Sequence, residues 1–317
     1  MNTIIRPLYV SPTQPVSEAD RVAWLESPPP WRDHRAVEPI DRQPPPNAIA
    51  DQRGRTYVPT SEEERDAVNL ALWLRRPLLV SGAPGIGKSS LAYGIATALG
   101  LGAPLRWEIS SQTTLQDGLY HYDAVAHFRA TRQTDAPDSV SASDFIELGP
   151  LGTAFVPTRL PRVLLIDELD KASWDLPNNL LHIFEEGAFR IPELHQQRGD
   201  ASVRLIDSMH KDDRVTVKGA EVRVRHHPVV VITSNAEREF SPAFLRRCIR
   251  HEMQPLSRDV LQRVVEAKFE GKSDLGDLAA TIDRLGDGIE TDVALQSIFA
   301  ATVGGDLERI RELLRRS

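Results

Sequence analysis

The sequence predicts an α/β fold followed by a small helical domain, and three observations point there. Short apolar runs of buried-strand length recur through the middle of the chain, as in "PLLVSG", "PRVLLIDELD" and "HPVVVITSN". Amphipathic stretches of helical period separate them, such as "TSEEERDAVNLALWLRR" and "LPNNLLHIFEEG". The first strand runs into a glycine-rich loop that opens a helix, "SGAPGIGKSSLAYGIATALGLG". Beyond residue 254 the apolar strand runs stop and helical spacing takes over.

Taken in order, residues 1–54 are proline-rich ("SPPPW", "RQPPPN"). Proline fixes φ and removes a backbone donor, so this arm reads as largely extended or disordered. The alternative is an arm that packs on a neighbouring protein, with Trp24 and Trp31 as anchors. The next segment, 55–254, holds the α/β core. Ser61 and Glu64 stand at capping-box spacing, Val68 and Leu72 repeat at helical period, and Pro77 ends that helix. The helix after the loop closes at Gly100 or Gly102. "LRWEIS" reads as a further short strand and "DAPDSVSASD" as a loop. Val215, Val217, Val222 and Val224 alternate about Lys218-Gly219, a hairpin signal. In 255–317, Ser257 is a candidate N-cap, Val260, Leu261, Val264 and Val265 share a face, and Gly271 ends the helix.

Composition narrows the function. The 317 residues suffice for about two domains. A formal net charge of -7 offers no overall basic field to nucleic acid. The single cysteine, Cys248, excludes an internal disulfide framework. No apolar run reaches membrane-spanning length, and "MNTIIRPLYVSPTQP" has too short an apolar core for a signal peptide, so a cytoplasmic protein is expected. His226-His227 is the only adjacent histidine pair, without the partners a zinc site needs. Tyr120 and Tyr122 in "GLYHYD" either pack within a helix or turn or face a pore.

The chemistry sits at the strand ends. Gly82, Ala83, Pro84, Gly85, Ile86, Gly87, Lys88, Ser89 and Ser90 fill the pattern G-x-x-x-x-G-K-[ST] between a strand and a helix. Glycines there let backbone N–H groups cradle phosphates, Lys88 can reach the β- and γ-phosphates, and Ser89 can ligate Mg²⁺. "VLLIDELD" delivers Asp167, suited to hold Mg²⁺, and Glu168, suited to polarise an attacking water. Asn235 ends "VVVITSN", where an amide can orient that water. Arg246 and Arg247 in "SPAFLRRC" can stabilise charge on a transferred phosphoryl group.

Together, "GAPGIGKS", "LLIDELDKA", "VVVITSN" and "SPAFLRRC" resemble the AAA+ ATPases. The run "YVPTSEEERDAVNLALWLRRPLLVSGAPGIGKSSLA" and the hairpin before "VVVITSN" resemble the MoxR branch. "SSQTTLQDGLYHYDAVAHF", "ELGPLGTAFVP" and "LPNNLLHIFEEGAFRIPEL" are similar to MoxR-type members of bacterial ternary conflict systems, which pair the ATPase with a von Willebrand factor A protein. The resemblance covers residues 55–317. It implies a P-loop NTPase αβα sandwich with a parallel five-stranded sheet plus a C-terminal helical lid domain. It also implies ATP with Mg²⁺ as cofactors and a homo-oligomeric ring, often a hexamer. Arg247 would then be a finger acting on a neighbour's nucleotide, Arg246 would face its own subunit, Tyr57 and Val58 would line the adenine pocket, and Arg309 would be the lid's sensor arginine, although the usual signature is incomplete there. The function expected is ATP-driven remodelling of a protein partner. A nucleotide-gated switch with slow hydrolysis and a nucleic-acid motor are the alternatives.

Overall fold

The computed structural model describes residues 6–135, 140–195, 199–210, 213–269 and 291–302. Helices α1 (Glu18–Leu25), α2 (Ala48–Arg55) and α3 (Glu62–Leu74) precede strand β1 (Leu78–Ser81). Helix α4 (Lys88–Leu99) follows the glycine-rich loop and leads to β2 (Leu105–Glu108). An excursion through α5 (Leu115–Leu119), β3 (Tyr120–Tyr122), α6 (Ala124–Arg132), β4 (Ile146–Leu148) and α7 (Pro150–Ala154) returns to β5 (Val163–Asp167). Then come α8 (Asp175–Glu186), β6 (Ala188–Arg190), β7 (Ala201–Leu205), β8 (Arg214–Val217), β9 (Glu221–Arg223) and β10 (Val229–Ser234). Helix α9 (Pro242–Arg247), β11 (Ile249–Glu252), α10 (Arg258–Lys268) and α11 (Thr291–Thr302) complete the described chain.

The central sheet is parallel, in the order β11-β1-β10-β5-β2, as the resemblance implied. Parallel strands are covered on both faces, which is why they read as unbroken apolar runs. Leu164 and Ile166 of β5 face one core with Phe155, Leu180 and Phe244, while Val163 and Leu165 face another with Leu91 and Ile95 of α4. The register sets Ser81 beside Ser234 and Glu108 beside Asp167. The loops leaving β1, β5 and β10 therefore emerge along one carboxyl edge, where open α/β sheets place their ligands.

Two expectations differ from the structure, and a third takes a form the sequence did not show. The arm, expected to be largely extended or disordered, lies outside helices over much of its described length, but it carries α1 and α2 and buries Tyr9 and Trp24 against α3. Asn69 of α3 explains this: its Oδ1 accepts from the N–H groups of Leu8 (2.6 Å) and Tyr9 (2.7 Å), and its Nδ2 donates to the Tyr9 carbonyl (2.8 Å). Trp24 Nε1 donates to the Leu72 carbonyl at 3.0 Å, whereas Trp31 is 71% exposed. Helix α2 lies close against α4 at Gly54, where a Cβ would stand 1.9 Å from Thr97 Oγ1.

The capping box forms only in half. Ser61 accepts from the Glu64 N–H, but the Glu64 carboxylate turns away to Thr60 and to Tyr57 Oη. The hairpin about Lys218-Gly219 keeps its turn, with an isolated bridge between Lys218 and Glu221. Its arms then part into different sheets, β8 pairing with β7 and β9 with β6.

Ser257 caps α10 as expected, while Gly271 lies outside the described residues. Helices α10 and α11 pack through Leu261, Val265, Ala294 and Ile298. Tyr120 is buried and donates to Glu193, and Tyr122 bonds to His127 Nδ1. Among the described residues, no helix is long and apolar enough to cross a membrane.

Candidate active site

The glycine-rich loop has the backbone that its sequence requires. Gly82, Gly85 and Gly87 take φ of +146°, +70° and +97°, in the region that disfavours side chains. A Cβ on Gly82 would also meet the Met253 carbonyl oxygen at 2.6 Å. At Gly87 nothing stands within 4 Å of that position, so conformation alone demands glycine there and the space in front stays open. Helix α4 then begins at Lys88, with no side chain capping it.

Lys88 is buried at the loop's base. Its Nζ donates to the carbonyls of Gly82 (2.8 Å) and Ala83 (2.7 Å) and to Asn235 Oδ1 (2.7 Å). Burial lowers its pKa, against the pull of Asp170, Glu168 and Asp167. Ser89 Oγ donates to Asp167 Oδ1 at 2.7 Å, and Thr233 Oγ1 donates to the same oxygen at 2.7 Å. Arg106 places Nε and Nη2 on Asp167 Oδ2 at 3.1 and 2.8 Å. Burial works to raise the Asp167 pKa, but the bonds from Ser89, Thr233 and Arg106 outweigh it and hold the carboxyl below its ordinary value.

Glu168 adopts a left-handed backbone, φ +62°, rare for a residue with a side chain. Its N–H donates to Thr233 Oγ1 at 2.8 Å. Its carboxylate accepts from Asn235 Nδ2 at 3.2 Å and pairs with Lys171 Nζ at 2.7 Å. Such conformations store about 1–3 kcal/mol and persist where surroundings over-determine them. Here they leave the carboxylate at the rim of the cluster. Asp170, buried, accepts from the N–H groups of Asn235 (2.9 Å) and Glu237 (3.1 Å) and so fixes the exit of β10.

Lys88, Ser89, Asp167, Glu168 and Asn235 are thus joined in one hydrogen-bonded group. Arg246 and Arg247 stand apart at the end of α9. Arg247 Nε pairs with Glu185 of α8, its Nη1 donates to the Ala243 carbonyl at 3.3 Å, and the Arg246 carbonyl accepts from Arg76. No described bond ties either arginine side chain to the group around Lys88. Tyr57 and Val58 line a cavity of about 380 Å³ beside the loop, together with Ile86, Gly87, Ser90 and Leu256 of the segment before α10. Tyr57 Oη donates to Glu64 at 2.8 Å, and burial raises its pKa well above the ordinary value. Arg309 lies outside the described residues.

Sequence reasoning missed Arg53, Arg106, Asp170 and Thr233. Arg53 Nε donates to Ser90 Oγ at 3.1 Å, bringing the arm to the loop. Thr233 is hidden inside an apolar strand, and only the β10–β5 register shows that its hydroxyl meets Asp167.

The residues present fit a nucleoside triphosphate with Mg²⁺. The loop offers an open, glycine-lined turn at a helix N-terminus, the setting that binds phosphate. Among the described residues no group of three or more His, Cys, Asp or Glu could hold a metal by itself. Mg²⁺ suits the pair Ser89 and Asp167, because it keeps few protein ligands and takes phosphate oxygens and water for the rest.

Fold and site together define a P-loop nucleotide-binding ATPase. The chain belongs to the AAA domain family, dynein-related subfamily, whose profile matches residues 77–248. Membership implies ATP binding and ATP hydrolysis. Among solved structures, domain III of the Thermotoga maritima replication initiation protein DnaA is similar at 15% identity and a TM-score of 0.42, over 86% of this chain and 98% of that one. No curated protein matches the chain.

Proposed function

We propose that this protein is a MoxR-like AAA+ ATPase of the cytoplasm. It works in a homo-oligomeric ring, a hexamer, and couples ATP hydrolysis to remodelling a protein partner. The partner we propose is a von Willebrand factor A domain protein of a bacterial conflict system, on the sequence resemblance alone. The observation that carries the enzymatic reading is the single hydrogen-bonded group at the sheet's carboxyl edge.

ATP with Mg²⁺ supplies a phosphoanhydride whose charge is partly neutralised. Lys88 and the N–H groups of residues 82, 83 and 85–90 hold its phosphates. Ser89 Oγ and an Asp167 oxygen hold the metal. Glu168 accepts a proton at its carboxylate from the attacking water, and Asn235, bonded to both Lys88 and Glu168, aligns it. Tyr57 and Val58 enclose the base, and the resemblance assigns Arg309 the part of the lid's sensor arginine. Arg247, unconnected to its own subunit's cluster, completes the neighbour's site once it leaves Glu185. Arg246 faces its own subunit.

One observation favours the alternative of a slow nucleotide-gated switch. Each Glu168 oxygen already accepts one bond, from Asn235 and from Lys171, so an attacking water must share the carboxylate with them. Turnover measured with and without the partner separates the two readings, and mass measurement with and without Mg·ATP tests the ring. The role of Glu168 is tested by Glu168→Gln. ATP binding should persist while turnover falls on the order of 100-fold or more. Unchanged steady-state turnover removes Glu168 from that role.

A further inference from the structure

Asp167 is 6% exposed, and four donors already satisfy its two oxygens. Oδ1 takes Ser89 and Thr233, and Oδ2 takes the fork of Arg106. A divalent cation at Ser89 and Asp167 must therefore compete for a carboxylate that already has a cation on it. Arg106 is built for such an exchange. It projects from β2, an edge strand whose Leu105 and Trp107 point into the core while Arg106 and Glu108 point out. Register puts Glu108, not Arg106, opposite Asp167, so the guanidinium reaches along the strand to the carboxylate. Its Nη1 also pairs with Glu108 at 2.7 Å. The Arg106 side chain is 46% exposed and Glu108 is 71% exposed, so the guanidinium can swing towards Glu108 without opening the core.

We infer that Arg106 is a positioning residue that holds the Asp167 carboxylate in the nucleotide-free protein and sets how strongly divalent cation and nucleotide bind together. This rests on the reading that Ser89 and Asp167 hold the metal. Arg106 acts in two directions. It opposes a dication at Asp167, since a carboxylate already neutralised by one cation holds a second less strongly. It also attracts bare phosphates, which a guanidinium binds well. With Arg106 present, nucleotide binding depends less on the cation than it would without it.

The test is a titration with a fluorescent ATP analogue, in EDTA and in excess MgCl₂, of the full-length protein and of the variants Arg106→Gln and Arg106→Lys. The quantity read is the ratio of the two dissociation constants. Arg106→Gln should weaken binding in EDTA, spare or tighten it in MgCl₂, and raise the ratio about tenfold, the worth of a charged hydrogen bond. Arg106→Lys keeps the charge but loses the fork, and should raise the ratio by less. Melting of the nucleotide-free proteins checks folding; if Arg106→Gln does not fold, Arg106→Lys decides. A ratio unchanged or lowered in the folded variants overturns the inference while the nucleotide site stands. If the unaltered protein binds no analogue in either buffer, the proposed function fails and this inference with it.

Discussion

The seam between the N-terminal arm and α3, and the polar group at the sheet's carboxyl edge, bury similar atoms to opposite ends. In the seam, Asn69 meets backbone groups of Leu8 and Tyr9, Trp24 meets the Leu72 carbonyl, and Arg75 donates to the Trp24 carbonyl at 2.6 Å with its guanidinium 3.9 Å over the indole. The acceptors and donors are largely neutral backbone, and a large apolar mass closes over them. At the sheet edge, Asp167 and Glu168 pair with half-exposed Arg106 and Lys171, and the Lys88 ammonium donates to the Gly82 and Ala83 carbonyls and to Asn235. A neutral, enclosed match makes a lasting joint, because breaking it strands polar groups away from water. A charged network at an open rim can trade its partners for those of a ligand.

The sharpest way to break this contrast is Trp24→Ala. Removing a fully buried indole should cost about 3–5 kcal/mol of stability, read by denaturant unfolding. Nucleotide affinity of the folded fraction should not change. A loss under about 1 kcal/mol would show that the arm only rests on the core rather than being joined to it. The complementary change is Lys88→Ala. Nucleotide binding should weaken roughly 10- to 150-fold, the worth of a charged hydrogen bond to phosphate. Melting temperature should hold or rise, since burial already disfavours the ammonium. If Lys88→Ala instead unfolds the protein, the cluster is a joint like the seam.

The same contrast explains what could be read from the sequence. The core strands were legible because parallel strands covered on both faces need continuous apolar residues, and "VLLID" and "VVVITS" supply them. The loop was legible because its glycines answer to local backbone angles. Contacts fixed by distant partners were not. Arg106 shows only as the polar half of an alternating strand, and its partner lies 61 residues away. Proline content speaks for an extended arm, yet Trp24 and Tyr9 find their places on α3, 48 and 60 residues on. The valines about Lys218-Gly219 carry a correct turn and a wrong pairing, because each arm takes a partner outside the hairpin, β7 for β8 and β6 for β9.

The smallest expected effect concerns acid, and it separates the two regions by pH window. His227 lies in the seam with its ring 5.1 Å from that of His34. Burial, reinforced by Arg32, His34, Arg75 and His226, lowers its pKa to about 3, and burial lowers that of His226 to about 4. Both are neutral in the folded protein at pH 6, while the unfolded chain takes up protons near about 6.5. With the folded value depressed, the stabilisation is complete above the unfolded pKa and drains away as pH falls towards the folded one. From pH 7 to pH 6 each ring should cost roughly 0.7 kcal/mol, a figure that needs only a folded pKa well below 6. Asp167 is also depressed, but its window opens only below about pH 4. His227→Phe should therefore reduce the loss between pH 7 and pH 6 by that amount, and Asp167→Asn should leave it unaltered. His227 Nε2 has no hydrogen-bond partner among the described residues, so the phenyl ring sacrifices no bond there. Denaturant unfolding of both variants at the two pH values decides the matter. An undiminished loss in His227→Phe would mean that water reaches the seam and protonates the ring in place, and the arm would then belong with the exchangeable rim instead of the sealed joint.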